Sequence, residues 1–202
     1  MEAPVWWVGD VSRETLEKLQ AYADLIRKWT PKINLVAKST VGDLEVRHLC
    51  DSAQVYEPRE DHWVDLGSGG GLPGVVVAIL AQANGDDVKI TLVESDQRKC
   101  AFLRTCAREL SLQINIVACR IEDIPPLNAQ TISARALAPL DELMGLAKPH
   151  LTNDGLCIFQ KGAQWDAEIQ AAQKNWRFSY EAMPSKTNSE AVVLKIKDIT
   201  RV

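Results

Sequence analysis

Asp65-Leu66-Gly67-Ser68-Gly69-Gly70-Gly71-Leu72-Pro73-Gly74 decides how the rest of this sequence is read. Its first residues close a short apolar run, His62-Trp63-Val64-Asp65-Leu66, that reads as a strand, and a second apolar run of helical length follows Gly74. A strand, a glycine turn and a helix start together aim backbone N–H groups and a helix N-terminus at one spot, which suits a ligand. Glycine is needed where a side chain would hold the backbone away, or where φ is positive. Pro73 suits the first helical turn, where its missing N–H costs nothing. Five glycines and a proline in ten positions exceed the needs of a plain turn.

Outward from this loop the chain alternates. Upstream, Leu16, Leu19, Tyr22, Ile26 and Trp29 recur every three or four residues after Ser12, a good N-cap. They predict one buried helix face, ending at Thr30-Pro31. The first eleven residues read as irregular, with Pro4 and Gly9 as breakers, and a second helix is expected around 44–56. Downstream, helices are expected near 74–83, 97–110, 139–149 and 167–175. Strands are expected at 88–94, 113–119, 131–134, 155–160 and 191–197. Strands alternating with helices predict an α/β fold, a mostly parallel sheet covered on both faces. Residues 1–60 read as an N-terminal helical extension and 61–202 as the ligand-binding domain.

Composition bounds the function. The chain has 202 residues, room for one α/β domain and a short extension. Hydrophobic residues make up 46% and charged residues 25%, ordinary globular usage. Five cysteines form no CxxC pair and suit reduced thiols in a cytoplasm. His48, His62 and His150 are scattered, so no metal site is expected. No apolar run approaches a membrane span and no signal pattern is visible. The net charge of −4 argues against a surface coated in Lys and Arg.

The loop admits three nucleotide readings. No Lys follows the glycines, so a phosphate-binding P-loop is out. A dinucleotide fingerprint can be forced from Gly69-x-Gly71-x-x-Gly74, but its first glycine then falls some residues after the strand. The register Asp65-x-Gly67-x-Gly69-x-Gly71, starting at the strand end, matches the loop of class I S-adenosylmethionine (SAM) methyltransferases. Glu94, closing the next strand, is placed to accept both hydroxyls of a ribose, which suits SAM and NAD alike. Glu122, after the third strand, is placed to flank an adenine. Arg135 falls at the end of the fourth strand, where a guanidinium fork suits a carboxylate or a phosphate. Asn/Asp-Pro-Pro-Tyr is absent at that strand end and Pro-Cys is absent from the chain, which weakens amine and cytosine-C5 chemistry.

Several blocks line up with one family. They are Trp29-x-x-x-Ile33-Asn34-Leu35, Arg47-His48-Leu49-x-Asp51-Ser52, the glycine block through Leu72-Pro73-Gly74, Arg120-x-Glu122, Ser133-x-Arg135-Ala136 and Lys161-Gly162. In these the chain resembles the glucose-inhibited division protein B family, bacterial methyltransferases that modify N7 of a guanine in 16S ribosomal RNA. The resemblance implies a Rossmann-like class I methyltransferase fold using SAM, with S-adenosylhomocysteine as product. It places cofactor contacts at Gly67, Leu72, Ile121, Glu122 and Arg135, with Glu94 at the ribose and Gly69 and Gly71 completing the loop. It also implies 16S ribosomal RNA as partner, within a small subunit or assembly intermediate, and we expect a cytoplasmic monomer. Where family members often carry Arg-His before the last strand, this chain has Asn188-Ser189-Glu190.

Guanine N7 has an exposed lone pair and no proton to lose, so no general acid or base is expected. Rate then comes from alignment and electrostatic fit. RNA contacts are expected at Arg47, Arg104, Arg108, Arg135 and Lys161. Residues 27–48 carry Arg27, Lys28, Lys32, Lys38 and Arg47 against Asp43 and Glu45. Such a local patch suits one site on a folded RNA, though a solvated face reads the same way. His48 and Asp51, three apart on a helix, read as an ordinary hydrogen-bonded pair. Two other readings stay open: a SAM methyltransferase for another RNA or a small molecule, and a non-catalytic module that binds SAM or NAD.

Overall fold

The computed structural model describes residues 11–202. The expected irregular start falls mostly outside them. Helix α1 (Arg13–Ile33) is capped by Ser12, whose side chain accepts the Thr15 N–H. Contrary to expectation it does not stop before Pro31 but runs to Ile33, ending at Asn34 in the left-handed conformation. Pro31 lies within the last turn, where one lost backbone hydrogen bond is tolerated. The expected second helix is built differently: a 3₁₀ run (Lys38–Asp43), a π turn (Glu45–Cys50) and the short α2 (Asp51–Ala53).

Then come β1 (His62–Leu66), α3 (Gly74–Asn84), β2 (Lys89–Val93), α4 (Gln97–Glu109), β3 (Ile114–Val117) and β4 (Ala129–Arg135). Helix α5 (Leu140–Ala147), β5 (Leu151–Lys161), α6 (Trp165–Ala172), β6 (Trp176–Pro184) and β7 (Val192–Arg201) complete the chain. The seven strands form one sheet in the order β3-β2-β1-β4-β5-β7-β6. Strands β1 to β5 are parallel, and β7 lies antiparallel to both β5 and β6. Strand β6 has no counterpart in the sequence expectation. Only its first residue is buried, and its apolar residues Trp176, Phe178, Tyr180 and Ala182 alternate with polar ones instead of forming the continuous run that marks the buried parallel strands.

Helix α3 explains the shape of one face. Every residue from Gly74 to Ala81 is buried, as befits a helix apolar all round. It lies under α1, whose Leu19, Tyr22 and Ile26 share one core with Val75, Ile79 and Phe102. The other face carries α5 and α6 over a second core with Phe159, Leu194 and Trp176. The residues 1–60 set apart in the sequence therefore contribute α1 to the main core. Reversal of the strand order between β1 and β4 opens a crevice at their carboxyl ends, the usual place for a ligand in such sheets.

Candidate active site

The opening decapeptide is fixed first from below. Asp65 is fully buried at the end of β1 and accepts the Ser133 hydroxyl at 2.7 Å. Ser133 in turn accepts the Trp63 indole N–H at 2.9 Å, so β1 and β4 are tied through side chains as well as backbone. Burial pushes the Asp65 carboxyl up to about 6, against the opposing pull of the Ser133 and Ser68 hydroxyls. From the side, Glu94 holds the loop. Its carboxylate accepts the Gly69 N–H at 2.8 Å and the Asp96 N–H at 2.7 Å. From above, α1 closes it: the buried Tyr22 hydroxyl donates to the Gly70 carbonyl at 2.5 Å.

Two glycines show why no other residue serves. Gly67 has φ +63°, and an added Cβ would sit 2.5 Å from Leu137 Cδ1. Gly71 has φ +85°, and its Cβ would meet Val75 at 2.5 Å and the Tyr22 hydroxyl at 2.9 Å. Positive φ and close approach coincide at both positions. Gly67 borders the crevice, whereas Gly71 is the point where α1 crosses the loop. Pro73 is the residue before α3 rather than within its first turn.

A cleft of about 370 Å³ opens at the carboxyl ends of β1 and β2. Gly67, Gly69, Glu94, Ile121 and Glu122 all line it, so five of the eight expected cofactor residues meet there. Its size falls in the roughly 300–1,000 Å³ range of small-molecule sites. Gly71 and Leu72 do not line this cleft; both are buried behind the loop. Arg135 lines a second cavity of about 400 Å³ that adjoins the first, Ala136, Leu137 and Ala138 lining both. Leu137 and Lys99 also line the cofactor-sized cleft and were missed. The signal for Lys99 was its place in the first turn after Glu94; Leu137 carried none.

Around Arg135 the structure corrects one expectation. His48 and Asp51 do not bond to each other; both reach Arg135. The guanidinium donates to His48 Nδ1 at 3.0 Å and lies 3.6 Å from the Asp51 carboxylate. The tautomer follows: Nδ1 accepts, so Nε2 carries the proton and faces the Thr40 hydroxyl at 2.8 Å. Burial, then Arg135 and Arg47, lower the His48 pKa to about 4. Asp51 is also held from a distant segment. Its Oδ1 accepts from Gln54, Ser185 and Thr187, and its Oδ2 accepts from Gln160. This joins α2 to the loop before β7, a link the sequence did not show.

The expected RNA contacts scatter. Arg47 and Arg104 are exposed, and Arg108 pairs with Glu109. Arg108 also lines a groove between α1 and α4 with Lys28, Trp29 and Lys32. Arg27, counted in the basic patch, is consumed by Asp24 and Glu45. Lys161 is buried and anchored, with Nζ 2.7 Å from the Ala138 carbonyl and 2.8 Å from Glu168 Oε2. Among the described residues no helix is long and apolar enough to cross a membrane.

Sheet order, glycine turn and crevice together define the class I SAM-dependent methyltransferase fold. A TehB-like SAM-dependent methyltransferase from Corynebacterium glutamicum superposes with a TM-score of 0.54 at 17% identity, covering 88% of this chain and 96% of that one. The M. jannaschii TYW2 solved in complex with AdoMet gives 0.57 at 12% identity, over 86% and 80%. At the level of family, residues 15–194 match the model of GidB, rRNA small subunit methyltransferase G, and the chain belongs to that family. It is 51% identical over 195 residues to the ribosomal RNA small subunit methyltransferase G of Ruegeria pomeroyi, covering 96% of each chain. With that of Paramagnetospirillum magneticum it shares 45% over 194 residues, 95% of this chain and 92% of the other.

Proposed function

We propose that this protein transfers a methyl group from SAM to N7 of a guanine in 16S ribosomal RNA. The carrying observation is the cleft in which Gly67, Gly69, Glu94, Ile121 and Glu122 meet at the carboxyl ends of β1 and β2. The residues fit the cofactor. The backbone at Gly67 leaves room that a Cβ would narrow against Leu137. Glu94 spends one lone pair of each oxygen on a backbone amide and keeps others for ribose hydroxyls. Ile121 offers an apolar wall and Glu122 a polar rim to an adenine. SAM supplies an electrophilic methyl on a sulfonium.

The chain's own part is alignment. N7 presents its lone pair without losing a proton, and the surrounding groups match that demand. His48 is neutral with both ring nitrogens engaged. Arg135, with one hydrogen bond to His48, keeps donors for the cofactor carboxylate or the RNA. Ala136, Leu137 and Ala138 line both cavities, so cofactor and base would lie side by side along them. For the RNA, the groove of Lys28, Lys32 and Arg108 beside Trp29 combines phosphate-binding charge with an aromatic face. We place the enzyme in the cytoplasm as a monomer acting on the small subunit or an assembly intermediate.

The test is transfer of labelled methyl from SAM to unmethylated ribosomal RNA, to free small subunits and to tRNA. Label in the small-subunit RNA, alone or assembled, supports the proposal. Label confined to tRNA, or none, contradicts it.

A further inference from the structure

The second cavity raises a question that the cofactor cleft does not answer: what makes the accepted base a guanine? Resting on the methyl-transfer reading above, we infer that the Lys161–Glu168 ion pair reads the O6/N1–H edge of the target guanine.

Three observations carry this. First, the cavity of about 400 Å³ has room for one extruded nucleotide and adjoins the cofactor-sized cleft, Ala136, Leu137 and Ala138 lining both. A base in the one lies beside a cofactor in the other. Second, the pair is built into the wall. Lys161 ends β5 with its side chain 8% exposed, and Glu168 on α6 is 25% exposed. Lys161 Nζ donates to Glu168 Oε2 and to the Ala138 carbonyl, and Glu168 Oε2 also accepts the Leu140 N–H at 2.8 Å. Third, the bonding leaves two groups unspent side by side. An ammonium has three N–H donors, and Lys161 uses two. A carboxylate has two oxygens, and among the described residues every hydrogen bond of Glu168 falls on Oε2, leaving Oε1 open.

A donor next to an acceptor is the complement of guanine's lactam edge, where O6 accepts and N1–H donates. Adenine reverses both: its amino group would face the ammonium and its N1 would face the carboxylate. The pair therefore accepts one purine and repels the other. The carboxylate has a further consequence. Methylation at N7 places positive charge on the purine and makes N1–H a stronger donor, so a bond from N1–H to Glu168 Oε1 strengthens as transfer proceeds. The other carboxylate of the cavity, Asp51, is already committed to Gln54, Ser185, Thr187 and Gln160.

A purely structural role for Lys161 is the rival, since its bond to the Ala138 carbonyl also holds the segment that lines both cavities. Base analogues separate the two. Once the methylated guanosine is mapped, small-subunit RNA is made with that residue as guanosine, inosine or 2-aminopurine ribonucleoside. Inosine keeps O6 and N1–H; 2-aminopurine lacks both and keeps N7. Wild-type kcat/KM is expected to change little with inosine and to fall about tenfold or more with 2-aminopurine. In Lys161→Met and in Glu168→Gln the guanosine-to-2-aminopurine ratio should shrink toward one, because the penalty belongs to the missing contact. Equal wild-type rates on the two RNAs overturn the inference without any variant. So does a ratio that stays at the wild-type value in both variants. No transfer to guanosine RNA at all overturns the methyl-transfer reading and this inference together.

Discussion

Replacing Asp65 by Asn tests how the glycine turn is held. Asp65 is fully buried, and burial raises its pKa from 3.8 to about 6. A carboxyl that binds its proton more tightly in the folded state stabilises the fold at low pH. That contribution is complete below about 3.8 and is lost as pH rises through about 6. A difference near 2 units corresponds to about 3 kcal/mol, of which roughly 2 kcal/mol is lost between pH 4.5 and 7.5. Asn is neutral throughout and its carbonyl still accepts from Ser133. Urea unfolding of both proteins at the two pH values gives the check. Any fixed cost of the substitution cancels in the comparison, as does the opposite trend from His48, whose lowered pKa is common to both. Relative to wild type, Asp65→Asn should gain about 2 kcal/mol between pH 4.5 and 7.5. A stability difference identical at both pH values would refute the buried, proton-binding Asp65.

Other perturbations probe the remaining supports. Tyr22→Phe leaves the Gly70 carbonyl without its partner and should cost about 1–3 kcal/mol in urea unfolding; no loss would mean that α1 does not hold the loop. Calorimetric titration should show SAM binding without NAD binding, and Gly67→Ala should weaken it, since its Cβ meets Leu137 at a strained φ; preference for NAD would overturn the cofactor assignment. Arg135→Ala should lower methyl transfer and also stability, because the guanidinium links His48 and Asp51; unchanged kinetics would remove Arg135 from the site. Affinity for small-subunit RNA should fall with added salt as phosphate contacts release counterions, and a flat response would count against the Lys28, Lys32 and Arg108 groove.

How much of this was legible in the sequence differs by element. The strand into the glycine turn and the helix after it were readable because φ > 0 and close approach leave only glycine, so geometry is written directly as residue type. Helix α1 was readable from its periodicity and from its cap, Ser12. Strand β6 was not read, although Trp176, Phe178, Tyr180 and Ala182 alternate with Arg177, Ser179 and Glu181; the stretch lacks only the continuous apolar run of the parallel strands. At the site, Glu94 and Glu122 follow from strand-end placement alone. The tie between Asp51 and the 185–187 segment spans more than 130 positions and leaves no local trace. Tyr22 was read as core, which it is, but its hydroxyl is what reaches the loop. The net charge of −4, at first an argument against nucleic acid, is compatible with a narrow basic groove.

The central claim is methyl transfer to a ring nitrogen without a general base. Its most direct test incubates the protein with labelled SAM and unmethylated small subunits, then digests the RNA and identifies the labelled nucleoside. The account predicts 7-methylguanosine, at a single position in the 16S RNA. Label on an exocyclic amine, on a ring carbon or on ribose would contradict it.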